Sequence, residues 1–133
     1  MKHVENSHNK ELGSKGEDIA CLFLMKHGYH IIERNYWRKW GEIDIVAQKG
    51  KRIYFIEVKT VSRESIKQIS GSSAYKPEDN VHPRKRQRLA RIFQTYLINK
   101  HVTDAKWQFD IICVYMCQRE RIARVQILKD III

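Results

Sequence analysis

The sequence has no apolar segment long enough to span a membrane and no hydrophobic signal core near its start. A transmembrane helix needs about 18 or more consecutive apolar residues, and no run of that length occurs in the 133 residues. Residues 1–10 are polar, whereas an export signal places an apolar stretch behind a basic start. We therefore expect no membrane partner and no export.

Cysteine is scarce, and its spacing excludes the common zinc motifs. The three cysteines, Cys21, Cys113 and Cys117, contain no Cys-x-x-Cys pair and lie among apolar residues. Buried free thiols of this kind are typical of a reduced, cytoplasmic protein, and they disfavour a zinc site. The six histidines also lack metal-ligand spacing, and none is assigned a chemical role.

Acidic residues are outnumbered by basic ones, 15 against 25, which gives a net charge of +10. Such a charge favours a polyanionic partner, although a protein can be basic for solubility alone. Clustering favours nucleic acid, because five of the basic residues crowd into the eight positions 84–91. The predicted nucleic-acid contacts are Arg84, Lys85, Arg86, Arg88, Arg91, Arg38 and Lys39. Lys85 differs from the others because it lies one turn before Leu89, beside the sheet, where it could instead extend from the core edge to solvent.

The chain reads as one domain over 10–133, preceded by a flexible tail over 1–9. Periodicity and turn residues predict the order α-β-β-β-α-β-β, with a long mobile loop over 62–82. The predicted helices cover 10–27 and 83–100, and the predicted strands cover 29–36, 42–47, 52–61, 107–116 and 121–128.

The stretch over 41–59 is typical of a β-hairpin that carries opposed acidic residues. Gly50 fits the centre of a tight turn, because glycine supplies the positive φ that such turns need. In that register Asp44 lies opposite Glu57. Directly opposed side chains have Cβ atoms about 4.5–5.5 Å apart, which lets two carboxylates hold one divalent cation.

Alternation along the strand places Glu57 and Lys59 on the same face as Ile53 and Phe55. Carboxylates among apolar side chains are costly without a positive partner, and a metal ion would supply that charge. The alternative is a solvated strand edge, where Glu–Lys neighbours are common. In the same register Glu42 lies opposite Lys59 and could pair with it.

The first helix supplies one more acid. Its periodicity places Glu17 beside the buried stripe and Asp18 on the solvent side. Gly13 and Gly16 would permit close approach to the sheet. Glu17 is therefore the helix acid that can face the sheet, unless it is a plain helix-surface carboxylate.

Several motifs, in this order along nearly the whole chain, resemble the PD-(D/E)XK nuclease superfamily. More narrowly, the sequence is similar to the YraN-like uncharacterised family, relatives of archaeal Holliday-junction resolvases. The motifs are Gly16-Glu17, Arg34-Asn35, the segments 41–47, 55–59 and 85–97, and Phe109-Asp110-Ile111. The resemblance implies a restriction-endonuclease-like α/β fold of three layers, a central mixed sheet of roughly five strands flanked by helices.

The resemblance also implies an activity, a metal-dependent endonuclease that hydrolyses phosphodiester bonds in DNA, including branched DNA. Asp44 and Glu57 would hold Mg²⁺ or Mn²⁺ together with the carbonyl of Val58. Glu17 would orient a metal-bound water or a second cation, and Lys59 would activate the attacking water or steady the developing charge. A homodimer is a further expectation by analogy with junction resolvases.

Some features differ from the family pattern or leave alternatives. Family members commonly carry an arginine soon after the lysine, whereas here Arg63 follows Lys59 at a greater distance, and no role is assigned to it.

A non-catalytic nucleic-acid-binding module on the same scaffold is the alternative function. The complete set of Asp44, Glu57 and Lys59 favours the enzyme. Asp110 is expected to be structural.

Overall fold

The computed structural model describes residues 2–63 and 82–133, and for 2–10 and 63 it describes the backbone alone. The elements are α1 (Lys2–Lys26), β1 (His30–Arg38), β2 (Gly41–Lys49), β3 (Arg52–Arg63), α2 (Pro83–Asn99), β4 (Lys106–Cys117) and β5 (Ile122–Leu128). The predicted order α-β-β-β-α-β-β is confirmed.

The five strands form one mixed sheet in the order β1-β2-β3-β4-β5. All neighbours are antiparallel except β3 and β4, which run parallel. Parallel neighbours need a crossover, and the chain between β3 and β4 contains α2. The predicted restriction-endonuclease-like α/β fold, with a mixed sheet between helices, is confirmed.

The two faces of the sheet carry separate apolar cores. On the α2 face, Phe55 stacks on Phe93 with ring centroids 4.4 Å apart, and Phe109 adjoins them. On the α1 face, Leu24 packs in a cluster with Ile56. The alternation of Phe55 and Ile56 between the two clusters follows from the two-residue period of a strand. Because the sheet is packed against a helix on each face, acidic residues that lie between the two cores have fixed backbone positions.

Helix α1 begins much earlier than the sequence suggested. It starts at Lys2, so the predicted helix start at residue 10 is wrong, whereas Met1 is not described and the flexibility of residues 1–9 stays a prediction. The segment before Gly13 has no proline or glycine. Polar residues lower helix propensity only by fractions of a kcal/mol, about 0.7 at most. A polar segment without an apolar stripe, such as residues 2–9, can therefore continue a helix.

Strand ends also differ from the predicted limits. β3 extends to Arg63, which overlaps the start of the predicted loop over 62–82. The rest of that predicted loop, from 64 to 81, lies outside the described residues. β1 extends through Arg38, two residues beyond the predicted strand end at residue 36, and Lys39 lies in the turn that leads into β2.

All three cysteines are free and buried, as predicted. Among the described residues, the longest apolar stretch in either helix is too short to cross a membrane.

Candidate functional site

The site lies where β2 and β3 separate. Their register runs from Lys49 opposite Arg52 to Ile45 opposite Ile56, and Gly50 has the positive φ of 62° that the turn requires. The predicted hairpin register is confirmed over this span. The ladder then ends, one position before Asp44 would oppose Glu57.

Beyond the end of the ladder, the side chain of Asp44 on β2, rather than its backbone, forms a hydrogen bond with β3. Its Oδ2 accepts a hydrogen bond from the backbone N–H of Val58 at 2.9 Å. The N–H and C=O of one strand residue point to the same side, so the Val58 carbonyl faces the same gap as Asp44. The gap thus collects a carboxylate and a carbonyl oxygen, and both are suitable ligands for a hard cation.

A kink in β1 accompanies this separation. Asn35 has φ of 55°, a left-handed conformation that asparagine tolerates better than most residues. Tyr36 consequently faces the α2 core, whereas Arg34 reaches Asp18 on the α1 side. Ordinary alternation would have put Arg34 and Tyr36 on one face. Asn35 is the local sequence signal of this kink, which strand alternation alone does not predict.

The Asp44 carboxyl is electrostatically unusual. Burial, together with the charges of Glu17, Glu57 and Glu42, raises its pKa from 3.8 to about 7, although the Val58 hydrogen bond lowers it. Three acids therefore lie near enough to Asp44 to oppose its ionisation. A cation bound among them would remove this repulsion.

Glu17 reaches the site from the α1 face, as predicted. Helix α1 can approach β3 closely because Gly16 has no Cβ, and a Cβ there would collide with Thr60. Burial raises the pKa of Glu17, Arg34 at 3.8 Å lowers it, and Glu42 and Asp18 raise it. Glu17 therefore belongs to the acidic cluster, whereas the Asp18 side chain is 60% exposed.

Glu57 is contacted by ammonium groups on one oxygen only. Lys85 Nζ lies 2.8 Å and Lys59 Nζ 3.3 Å from its Oε1. Its Oε2 is buried and, within the described part of the chain, has no hydrogen-bond partner. An unpaired buried carboxylate oxygen is costly. A positive ligand would satisfy it.

Asp44 and Glu57 line the same cleft, which has a volume of about 40 Å³. A single water needs about 10–15 Å³, so the cleft admits an ion-sized occupant. Glu42 also lines it, and Phe93 closes it from the α2 side. The structure thus brings together the two acids that the hairpin register predicted to be neighbours.

A metal ion here would be bound by the carboxylates of Asp44 and Glu57 alone, and not by a larger group of acidic, histidine or cysteine side chains. No group of three or more His, Cys, Asp or Glu side chains within the described ranges could hold a metal ion. Two carboxylates with one carbonyl suit magnesium, which keeps several waters and usually takes one or two protein carboxylates. The buried Oε2 of Glu57 and the high pKa of Asp44 both fit a bound cation.

The basic residues divide into two groups. Arg84, Arg88 and Arg91 are exposed and, with Trp40 and Gln87, line a groove of about 580 Å³ on the outer side of α2. Lys85 is different, because it turns inward to Glu57. Arg88 lines both this groove and the opening beside Glu57, so it connects the groove to the acids.

The remaining predicted contacts lie elsewhere. Arg86 is exposed on α2, Lys39 lies in the β1–β2 turn, and the Arg38 guanidinium lies 4.4 Å from the centre of the Tyr36 ring. Trp40 is packed, since its Nε1 donates to Thr95 Oγ1 and Arg91 covers its ring at 4.4 Å. Trp40 therefore has a structural role at the base of the groove.

Asp110 is structural, as expected. It is 2% exposed. Its Oδ1 accepts hydrogen bonds from the Gln108 side chain and the Asp130 backbone N–H at 2.8 and 2.9 Å. These bonds fasten the segment after β5 to β4.

Comparison with known proteins identifies a family. The sequence model of the Uncharacterised protein family UPF0102 matches residues 16–114, which include both acids, both lysines and Glu17. A UPF0102 protein of Moorella thermoacetica is 39% identical over 117 residues, covering 88% of this chain and 91% of its own. One from Geotalea uraniireducens is 34% identical over 131 residues, covering 98% and 95%. One from Geobacter metallireducens is 41% identical over 107 residues, covering 80% and 81%.

Proposed function

The chain belongs to the uncharacterised protein family UPF0102, and we propose that it is a divalent-metal-dependent endonuclease of the PD-(D/E)XK type. Its proposed reaction is hydrolysis of phosphodiester bonds in DNA, including branched DNA. The single observation that carries the proposal is the cleft shared by Asp44 and Glu57, where one carboxyl resists ionisation and the other keeps a buried, unpartnered oxygen.

In this proposal Asp44, Glu57 and the Val58 carbonyl hold one Mg²⁺ or Mn²⁺, and Glu17 orients a water or a second cation. When bound, such an ion polarises a phosphate oxygen and lowers the pKa of a water ligand. Because Asp44 has a pKa near 7 without metal, binding must displace its proton, and metal affinity should rise with pH.

In this proposal the lysine and arginine side chains of the site contact the phosphates of the substrate. Lys59 lies beside Glu57, where its ammonium would stabilise the charge that develops on the phosphate. The groove formed by Arg84, Arg88 and Arg91 leads to the same opening. Clustered arginines along a groove suit the phosphate backbone of a nucleic acid. The groove would therefore guide the backbone towards the acids.

A non-catalytic DNA-binding module is the second candidate, and two observations favour it. Among the described side chains no cluster of three ligands exists, and Glu57 Oε1 is already contacted by Lys59 and Lys85. Such a module would bind DNA in the same groove without cutting it. A homodimer, a preference for branched DNA and a cytoplasmic location remain predictions of the sequence analysis.

The test is incubation of the purified protein with labelled duplex, branched and single-stranded DNA and with RNA, in Mg²⁺, Mn²⁺ or chelator. We expect cleavage of DNA with metal only. Asp44→Ala and Glu57→Ala should abolish cleavage and keep salt-sensitive DNA binding. DNA binding without cleavage by the native protein would support the non-catalytic module. Cleavage that survives both substitutions would refute the proposed site.

A further inference from the structure

A second ammonium group, that of Lys85, reaches the acidic cleft from helix α2. Its Nζ lies 2.8 Å from Glu57 Oε1, which is closer than Lys59 Nζ at 3.3 Å. The Lys85 side chain is 25% exposed, whereas its neighbour Arg84 is exposed to solvent. Lys85 precedes Leu89 by one helical turn, and Leu89 lines the cleft. Lys85 thus belongs to the acidic cleft rather than to the outer groove.

An ion pair that only stabilises the fold explains this arrangement poorly. A partly exposed pair contributes about 0–1 kcal/mol, and ordering a lysine side chain costs up to about 2 kcal/mol. Lys59 alone already places a positive charge on Oε1 of Glu57. A second ammonium on the same oxygen repels the first, so an anionic ligand in the opening beside Lys85 would stabilise this arrangement.

The opening beside Lys85 offers room for such an anion. Its volume is about 290 Å³, and it is lined by Glu57, Lys85, Arg88 and Leu89, with Gly41, Glu42 and Ile92 completing the wall. Arg88 lies one turn after Arg84 and also lines the outer groove. A phosphate that follows the arginines of the groove would therefore meet Lys85 before it reaches the acids.

We propose that Lys85 is a catalytic residue whose ammonium contacts the phosphate being cleaved. This inference rests on the proposed function. Glu57 holds this ammonium in place until nucleic acid binds. Lys85 then moves its contact from Oε1 to a phosphate oxygen, while Lys59 stays beside Glu57, where its ammonium also faces the phosphate. The site would carry two catalytic lysines from different elements, one on β3 and one on α2.

The first test needs no cleavage. DNA affinity is measured in chelator for the native protein, Glu57→Gln, Lys85→Met and the double variant. If Lys85 exchanges Glu57 for phosphate, the two substitutions couple, by about 5-fold or more in affinity. Arg84→Met, on the same helix, should combine with Glu57→Gln within about 2-fold, as independent sites do. A purely structural ion pair contributes equally in free and bound protein, so additive effects of Lys85→Met would overturn the proposal.

The second test uses single-turnover cleavage with saturating DNA and Mg²⁺. Lys85→Met, which keeps the apolar stem, should slow cleavage about 100-fold, as loss of one transition-state donor does, and Lys85→Arg should restore part of the rate. Lys26→Met, at an exposed lysine of α1 outside the cleft and the groove, should leave the saturated rate unchanged. If native protein cleaves and Lys85→Met cleaves equally fast, Lys85 is not catalytic and the proposed function stands. If native protein cleaves nothing, the proposed function fails, and the affinity cycle still decides whether Lys85 contacts phosphate.

Discussion

Replacing Asp44 with asparagine should make the metal-free protein more stable at pH 8. Burial and the neighbouring acids raise the pKa of Asp44 from 3.8 to about 7 in the folded protein. Between these values the folded state binds more protons than the unfolded state, so stability falls as pH rises. The favourable contribution is complete below the unfolded pKa and is lost as pH rises through the folded pKa.

The size of the effect follows from these two pKa values. Between pH 5 and pH 8 the native protein should lose about 2.5 kcal/mol of unfolding free energy from this group alone. For a domain of this size, that corresponds to roughly 10 °C in Tm. Asparagine cannot ionise, and its Oδ1 can still accept the Val58 N–H. The Asp44→Asn variant should therefore show little of this pH dependence.

The assay is urea unfolding in chelator at pH 5, 6.5 and 8, with Asp104→Asn as the control because Asp104 is exposed. The native protein and the control should lose stability together as pH rises, while Asp44→Asn should lose much less. Mg²⁺ added at pH 8 should restore stability to the native protein and not to Asp44→Asn. Parallel pH curves for all three proteins would refute the reasoning about the acidic cluster.

Two further predictions concern the helices. Gly16→Ala should lower the unfolding free energy by about 1–3 kcal/mol, because a Cβ there collides with Thr60 and must separate α1 from β3. Gly13→Ala is the matched control in chemical denaturation, since nothing lies within 4 Å of its Cβ position, and an equal loss would contradict this packing. Replacing the groove arginines should flatten the plot of log K against log salt by up to about three units, one per phosphate contact. An unchanged slope in fluorescence anisotropy would move the DNA-binding surface away from Arg84, Arg88 and Arg91.

Regular elements were predictable because their patterns are local. Gly50 fixed the hairpin turn and hence the register of Ile45 with Ile56. The apolar residues of α2 recur at helical spacing, and Ile92, Phe93, Tyr96 and Leu97 among them are buried. Glu17 was also placed beside the sheet from helical periodicity alone. These predictions succeeded because turn geometry and strand or helix period determine which side chains share a face.

The details of the site were less predictable, because they depend on contacts between distant segments. Asp44 accepts its hydrogen bond from Val58 just beyond the end of the β2–β3 ladder at Ile45 and Ile56, and Asn35 of the neighbouring strand has a positive φ. No sequence period encodes such a break. Periodicity placed Lys85 near the sheet, but its pairing with Glu57 also depends on how α2 is set against β3. The early start of α1 was missed because polar helices lack an apolar stripe.

The most direct test of the account is the anomalous diffraction of Mn²⁺ in crystals of the native protein. If Asp44 and Glu57 hold one cation, we expect one strong peak in the cleft, about 2–2.2 Å from carboxylate oxygens of both residues. In crystals of Asp44→Ala this peak should be absent. A peak bound elsewhere, or native crystals in which the two carboxylates point away from each other and bind no ion, would contradict it.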